Sequence, residues 1–485
     1  RWTLDENVED IDFDNMDRYD VIGVTGMVVQ AKRMHEILNR LRGVRGQVIV
    51  GGPYCSVAES QFKDFCDTRF IGEAEETWPE YLIALGRGEK VADRYEQAAK
   101  SDMEKVPTPR YDLVKSKHYV MASLQFSRGC PFLCEFCDII TIFGRRPRLK
   151  TNAQMLAEFD AVRDAGFDFC FLVDDNFIGN KVKAKELLRA LIEWQKANGY
   201  PLKFVTEASI NLADEPELMQ LMVEANIIQV FIGIESPRTS SLDEIRKVQN
   251  VRGDSQLDKL RRIRDYGLLT QCGFIVGFDN DDEAIFDEQF NFIQESGVDL
   301  ALVAMLTPIP TTPLYDRLKA EGRLDYSDPE LIFHPKKMSR ETLKRGYVDL
   351  MQRLYTPEAF FGRVLDGYSQ SESHRKIRKA HNAKIKPRSR TRQLRTFAGG
   401  VVQAGKLFRE LVRRGLLSSV GRSYAKIWWR ENRALGAIRL SFASYVLLCM
   451  EHWHYFNVAN GPRRGSFGAV VEKDTILFDE QVRAA

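Results

Sequence analysis

The stretch Leu124-Gln-Phe-Ser-Arg-Gly-Cys-Pro-Phe-Leu-Cys-Glu-Phe-Cys-Asp138 decides how this chain is read. It opens with a short strand candidate, Leu124–Ser127, and then carries cysteines at 130, 134 and 137. Thiolates are soft ligands that suit zinc or iron–sulfur clusters. Three of them on one loop can wrap a single metal centre. A zinc site ordinarily recruits a fourth Cys or His at a familiar spacing, and no paired CxxC or HxxxH completes one here. Cys55, Cys66, Cys170, Cys272 and Cys449 are isolated, and Cys170 and Cys272 fall inside apolar strands, where a buried thiol without ligand duty is the default. Three ligands and no evident fourth describe a cubane cluster with one open iron, able to bind a further molecule.

Outward from that loop the chain alternates strand and helix. Strand candidates are Leu124–Ser127, Phe167–Val173, Lys203–Glu207, Ile228–Ile234, Thr270–Gly277 and Leu300–Leu306, and residues 152–165, 182–198, 214–224, 254–266 and 282–295 have helical periodicity. Six such units predict a barrel or part-barrel with its active groups at the C-terminal ends of the strands. An earlier series precedes it. Asp20–Gly26, Gln47–Pro53 and Phe70–Glu73 are short β-branched or apolar runs closed by glycine, with helices over 29–42 and through Trp78 and Leu85. This pattern predicts a second parallel α/β sheet whose ligand crevice lies at the loops after the strands. On the residues alone, Gly26 and Gly51-Gly52 are equally explained as tight turns. Residues 88–118 are charged and interrupted by prolines, and read as a linker.

Composition sets broad limits. Hydrophobic residues make up 44% of the 485, enough for a sizeable core, so global disorder is excluded. The net charge of +2 conceals a basic stretch: ten Lys or Arg and no acid lie between Arg375 and Arg395. Trp428-Trp-Arg430 and an apolar run, Ala434–Met450, follow. That run is too short and too charged to span a bilayer. A helical appendage, a membrane-surface contact and, last, a nucleic-acid patch are the readings of this tail. Thiols that must remain reduced point to the cytoplasm, with the inner face of the membrane as the alternative placement. The polar opening carries no signal-peptide pattern. It reads as mid-domain, with the expectation that residues precede it.

CxxxCxxC with an aromatic, Phe136, before the last cysteine resembles the signature of the radical S-adenosylmethionine superfamily. The resemblance implies that Cys130, Cys134 and Cys137 hold a [4Fe–4S] cluster whose open iron chelates S-adenosylmethionine. It implies a set of residues around that cofactor: Phe136 near adenine, Asp174, Asp175 and Asn176 after the second strand, Glu207 and Ser209 after the third, Glu235 and Ser236 after the fourth, and Gly273 and Gly277 on the fifth. Any single carboxylate there could instead be a helix cap or a surface ion-pair partner. The earlier α/β segment is similar to the cobalamin-binding domain fused ahead of many of these barrels. Thr25, Gly26, Met27, Gly51, Gly52, Pro53, Gly72 and Glu73 would then line the cobalamin. No Asp-x-His-x-x-Gly motif offers a lower ligand, and His35 reads as a surface residue in mid-helix.

The layout, including 307–366 and the basic tail, is most similar to the branch that contains the bacterial hopanoid C-2 methylase. The resulting expectation is an α/β chain in five parts: a cobalamin module over 1–95, incomplete at its start; a linker, 96–120; a (β/α)6 barrel, 121–320; a following domain, 321–370; and a basic amphipathic helical tail, 371–485. The implied activity is radical methylation of an unactivated carbon, in a lipid such as a hopanoid or another small molecule. A flavodoxin- or ferredoxin-type protein would supply electrons, and no nucleic-acid partner is expected. Two other readings stay open: a cobalamin-dependent radical enzyme that cyclises or rearranges a tetrapyrrole or natural product, and a non-catalytic iron–sulfur or zinc protein.

Overall fold

The computed structural model describes residues 3–6, 8–328, 330–385, 390–432 and 440–460, with only the backbone given at 368–370, 390–397, 399, 400 and 431. Two parallel sheets organise it. The first comprises β1 (Val21–Thr25), β2 (Gln47–Gly51), β3 (Thr68–Ile71) and β4 (Arg94–Glu96) in that order, with α1 (Ala31–Arg40), α2 (Pro53–Val57) and α3 (Thr77–Gly86) between the strands. β4 falls at the junction between the expected module and linker, and completes the sheet by pairing Phe70 with Tyr95. Much of the expected linker is likewise packed: Met103 is buried, and the buried Tyr111 donates its hydroxyl to the Ser123 carbonyl. Prolines and charges here mark a chain that turns often, because three 3₁₀ turns carry it across the barrel wall.

The second sheet runs β5 (Ala122–Leu124), β6 (Phe169–Leu172), β7 (Lys203–Glu207), β8 (Ile227–Glu235), β9 (Leu269–Val276) and β10 (Leu300–Met305), each strand beside its sequence neighbour and parallel to it. The connecting helices are α4 (Ile139–Ile142), α5 (Asn152–Asp164), α6 (Lys181–Asn198), α7 (Pro216–Glu224), α8 (Gln256–Asp265) and α9 (Ile285–Ser296). Alternation along the strands separates two faces. On β9, Thr270, Cys272, Phe274 and Val276 are buried, whereas Gln271, Gly273 and Ile275 remain partly open. On β6 and β8, Phe171, Phe231 and Gly233 lie on partly open positions too. Parallel sheets are normally covered on both faces. A half-open face on six adjacent parallel strands is therefore a chamber, and the loops at the strand C-termini form its mouth.

Helices α10 (Pro313–Ala320), α11 (Arg340–Leu354), α12 (Pro357–Gln370), α13 (Glu372–Asn382), α14 (Arg390–Arg413), α15 (Arg422–Ile427) and α16 (Phe442–Asn460) complete the C-terminal part. Residues 434–439 of the expected apolar run lie outside the described residues, and its remainder enters α16. α13 closes the bottom of the barrel. His374 Nδ1 is 3.1 Å from the Arg264 carbonyl, His381 Nε2 is 3.3 Å from Asn226 Oδ1, and Arg378 donates to the Gly267 and Ile227 carbonyls. On α16, the buried His452 places Nε2 3.0 Å from the Tyr355 carbonyl and Nδ1 2.6 Å from the Tyr424 hydroxyl. Burial holds all three histidines down at about 4. They are neutral in the fold and take up protons more readily once unfolded. Their contribution to stability is complete above the unfolded value near 6.5 and falls as pH drops from there toward 4. Each histidine steepens that acid-side loss by up to about 1.4 kcal/mol per pH unit. Thermal melts between pH 7.5 and 4.5 should show a shallower acid-side slope in His452→Gln than in the parent.

Candidate active site

Three backbone features position the cysteine loop. Gly129 has φ +99°, and a Cβ there would stand 2.8 Å from the Gly144 carbonyl oxygen, so only glycine allows the loop to fold back on residues 144–146. The Cys130 amide donates to that same carbonyl at 3.3 Å. Between the other two cysteines, Glu135 donates its N–H to the Ile245 carbonyl at 3.0 Å, and its own carbonyl accepts from Leu314 at 3.0 Å. The Glu135 carboxylate is gripped through both oxygens by Arg317 at 2.8 and 3.1 Å. Arg317 also reaches Asp279 at 2.6 Å, and Asp279 in turn accepts from Arg323 at 2.7 Å. The loop is thus held from behind by the elements after β9 and β10 before any ligand binds.

The three thiols face a common space. Burial raises all three, Cys137 to about 12; Cys130 also feels the charge of Cys134, and Cys137 that of both other thiols. Among the described residues no group of three His, Cys, Asp or Glu converges on a single metal ion. The loop suits a larger centre with thiolates spread around it. Asn176 Nδ2 lies 3.9 Å from Cys130 Sγ and Gln249 Nε2 lies 3.8 Å from Cys134 Sγ, so two of the three sulfurs have a side-chain amide donor. Lys247 is buried beside them, its ammonium paired with Glu235 and 5.8 Å from the centre of the Phe136 ring. Burial pulls the Lys247 pKa down, but Glu235 and the thiols Cys134 and Cys137 outweigh it and the net shift is upward. Low pKa and nearby cations make thiolates, and bound iron would do the same to all three. The donor set fits an iron–sulfur cluster.

The carboxylates after the strands divide into two kinds. Asp174 is fully buried and accepts from the Phe126 amide at 3.3 Å, the Ser127 hydroxyl at 2.6 Å and the Ser127 amide. Its carboxylate ties the segment after β5 to the end of β6. Asp175 accepts from the Gly129 amide at 2.6 Å and braces the cysteine loop. Burial raises Asp174 to about 7 and Asp175 to about 6. Glu207 is the contrasting case: it lies on the half-open face at the end of β7, and no hydrogen bond to its carboxylate is described. Burial first, then the charges of Asp175 and Asp174, push it up to about 7. Asn176 and Ser209 bond to each other, with Nδ2 3.1 Å from Oγ.

Glu235 has φ +64° and is occupied by Lys247. Ser236 is fully buried, its hydroxyl accepting from the Arg238 amide at 3.2 Å. Gly273 leaves room for the Phe231 ring, whose Cζ would stand 3.0 Å from an added Cβ, and Gly277 turns the chain at φ +109°. Lys247, Gln249, Glu135 and Arg317 went unnoticed in the sequence, because nothing in their spacing ties them to the cysteines.

In the N-terminal module the loops after β1, β2 and β3 point to the same mouth. α2 packs on α4 directly behind Cys137, and Ile142 belongs to the module's core with Tyr54 and Cys55. Gly52 has φ +90°, and a Cβ would stand 2.3 Å from Thr25 Oγ1, so this loop closes only with glycine. Gly51 ends β2, Pro53 begins α2, and the Gly72 amide donates to Ser56 Oγ at 2.8 Å. Gly26 lies against Met34 and Gln30, while Met27 remains 60% exposed. One expectation changes. His35 is buried, stacked on Phe62 at 5.1 Å and edged by Phe65, because its helix packs this face inward; it faces the module's core rather than solvent. Glu73 is engaged within the protein. It joins Arg128 at 2.6 Å, Arg148 at 3.0 Å and the Ser101 amide at 3.1 Å, with Glu75 also on Arg128 at 2.7 Å. This buried network staples the module to the strand that leads into Cys130. Removing one partner of such a pair strands the other charge. Glu73→Ala should cost about 3 kcal/mol of unfolding free energy and speed hydrogen exchange at 73–75 and 128–130.

The fold and the three-thiol loop define a radical S-adenosylmethionine protein, and residues 124–293 match the radical SAM superfamily model. Residues 312–466 match a domain of unknown function, DUF4070. An uncharacterised methyltransferase of Synechocystis sp. is 38% identical, the alignment covering 74% of this chain and 68% of that protein. The hopanoid C-2 methylase of Rhodopseudomonas palustris is 34% identical over 74% of this chain and 69% of its own length. Among solved structures, the cobalamin-dependent S-adenosylmethionine radical enzyme OxsB shares the fold with a TM-score of 0.57 at 15% identity, covering 92% of this chain and 76% of OxsB. The methyltransferase TsrM from Kitasatospora setae gives 0.54 at 16% identity, covering 64% and 66%. The chain belongs to the radical S-adenosylmethionine methyltransferase family, in the branch that includes the hopanoid C-2 methylase.

Proposed function

We propose that this enzyme methylates an unactivated carbon of an apolar substrate, a polycyclic lipid of the hopanoid kind, using a [4Fe–4S] cluster, S-adenosylmethionine and cobalamin. The observation that carries the reading is the half-open inner face of the second sheet, with the three thiols at its mouth and the module's loops packed behind them. A cluster held by Cys130, Cys134 and Cys137 would supply the electron for reductive cleavage of S-adenosylmethionine, and cobalamin at the module's loops would supply methyl-transfer chemistry.

The chain's own part is binding, orientation and exclusion of water. Cys130, Cys134 and Cys137 hold the cluster, and the amides of Asn176 and Gln249 with the Lys247 ammonium compensate its negative charge. Glu207 offers an unspent carboxylate to a hydroxyl or ammonium group, and Phe136 packs beside Lys247 at the rim. Phe171, Val205 and Phe231 form an apolar wall suited to a hydrocarbon substrate. Thr25, Gly26, Met27, Gly51, Gly52, Pro53 and Gly72 form the rim available to cobalamin, with the exposed Met27 as its apolar edge. His35 lies in the core, so this module supplies no lower ligand from that position. A flavodoxin- or ferredoxin-type protein is the fitting reductant. The relative from Rhodopseudomonas palustris, named for hopanoid methylation, supports the substrate class.

The lipid profile of cells lacking the protein tests the reading: one C-methylated polycyclic lipid disappears and its unmethylated parent accumulates. An unchanged lipid profile together with a lost methylated tetrapyrrole would overturn the substrate class.

A further inference from the structure

α14 carries two apolar stripes where a helix packed on one side needs only one. Leu407 and Leu411 are buried and face the core shared with α16. Val401, Gly405, Phe408 and Val412 follow a spacing of four, three and four, which places them on a separate face roughly 100° around the helix. That face is open: Val401, Phe408 and Val412 are 49%, 57% and 51% exposed, and the adjoining Val402 is 57% exposed. Lys406, Arg409 and Arg413, all exposed, flank it on the side away from the core. From 390 to 432 the chain holds ten Lys or Arg against two acids, and the exposed Leu417 and Trp429 continue the apolar character beyond the helix. No helix among the described residues is long and apolar enough to cross a membrane.

We infer that the outer face of α14 is a docking surface for an anionic lipid bilayer. An apolar stripe edged by cations is the chemistry of a helix lying in the headgroup plane: the stripe enters the acyl boundary and the cations meet lipid phosphates. The charge decides among occupants. A second copy placed face to face would bring basic flank against basic flank. A nucleic acid would satisfy the cations and leave Val401, Phe408 and Val412 in water. Docking would hold the barrel close to a membrane-dissolved substrate, yet it stands on the surface alone and requires no catalysis.

Co-sedimentation of the full chain with vesicles tests this, using phosphatidylcholine alone and phosphatidylcholine mixed with phosphatidylglycerol. The chain pellets with the anionic vesicles and not with the neutral ones, and added salt weakens the partition. Phe408→Ser with Val412→Ser, and separately Arg409→Gln with Arg413→Gln, each lower it by about tenfold while the circular dichroism spectrum is unchanged. Equal partition of parent and variants, or no partition at all, overturns the proposal. So does a concentration-dependent dimer abolished by Phe408→Ser without vesicle binding, which assigns the face to a second copy.

Discussion

Cys134→Ala should abolish reductive cleavage of S-adenosylmethionine, with 5′-deoxyadenosine falling by at least about 1,000-fold, the scale on which losing one member of a catalytic unit is felt. Cys134 is buried, which pushes its thiol up, while the Gln249 amide at 3.8 Å and the charge of Lys247 oppose that push and favour the sulfur as a ligand. Alanine removes that sulfur ligand and leaves Lys247 beside Glu235 and Cys137. Iron content and the visible absorption of anaerobically reconstituted protein should fall together with activity. Cys272→Ala is the control. Cys272 is wholly buried on β9 and lies among the apolar side chains of the core, so its loss should cost about 1–2 kcal/mol of stability while iron and cleavage persist. A Cys134→Ala protein that keeps its iron and still yields 5′-deoxyadenosine would sink the ligand assignment. In the parent, S-adenosylmethionine should alter the EPR signal of the reduced cluster, because it reaches an iron that no thiol fills.

The second large effect is a gain in stability at the expense of function. Glu207→Gln should stabilise the ligand-free protein at pH 8 by roughly 3 kcal/mol. The fold raises this carboxyl from 4.5 to about 7, and each unit converts at about 1.4 kcal/mol. The sign follows from proton counts. Between 4.5 and 7 the folded state holds a proton that the unfolded state has lost, so stability falls as pH rises through that window, and the full penalty is present above it. Glutamine has no charge to desolvate, and its unfolding free energy should lack that slope. A raised carboxyl on the open face of the barrel, near Asp175 and Asp174, is the kind of group that perturbed titration marks as a candidate for ligand binding. The same variant should bind S-adenosylmethionine more weakly, measured by equilibrium dialysis with reconstituted protein. Equal stability of parent and variant from pH 5 to 8 would show that Glu207 is solvated and carries no such strain.

Much of the architecture was legible because it rests on local periodicity. Lys203–Glu207 appears at the expected bounds, and the other five barrel strands and the five helices expected among them shift by only a few residues. β4 escaped notice because three residues, Arg94, Tyr95 and Glu96, carry no period and gain their strand character only by pairing with β3. His35 looked like a surface residue because its neighbours in sequence, Met34 and Glu36, point to opposite environments; only the approach of Phe62 and Phe65 from a later segment buries it.

The division is clearest at the cysteine loop. Sequence alone determined the three thiols, their common loop and the strand that precedes them, because ligand type and spacing along one short segment are local properties. Tertiary structure alone decided which acids are free to act. Asp174, Glu73 and Glu207 look alike as carboxylates following strands. Asp174 is consumed by the amides of Phe126 and Ser127 and Glu73 by Arg128 and Arg148, partners 47 to 75 residues away, while Glu207 is left to titrate against its neighbours' charges. A hydrogen-bonding capacity is written in the residue type. Whether it has been used up depends on groups that only folding brings within hydrogen-bonding reach.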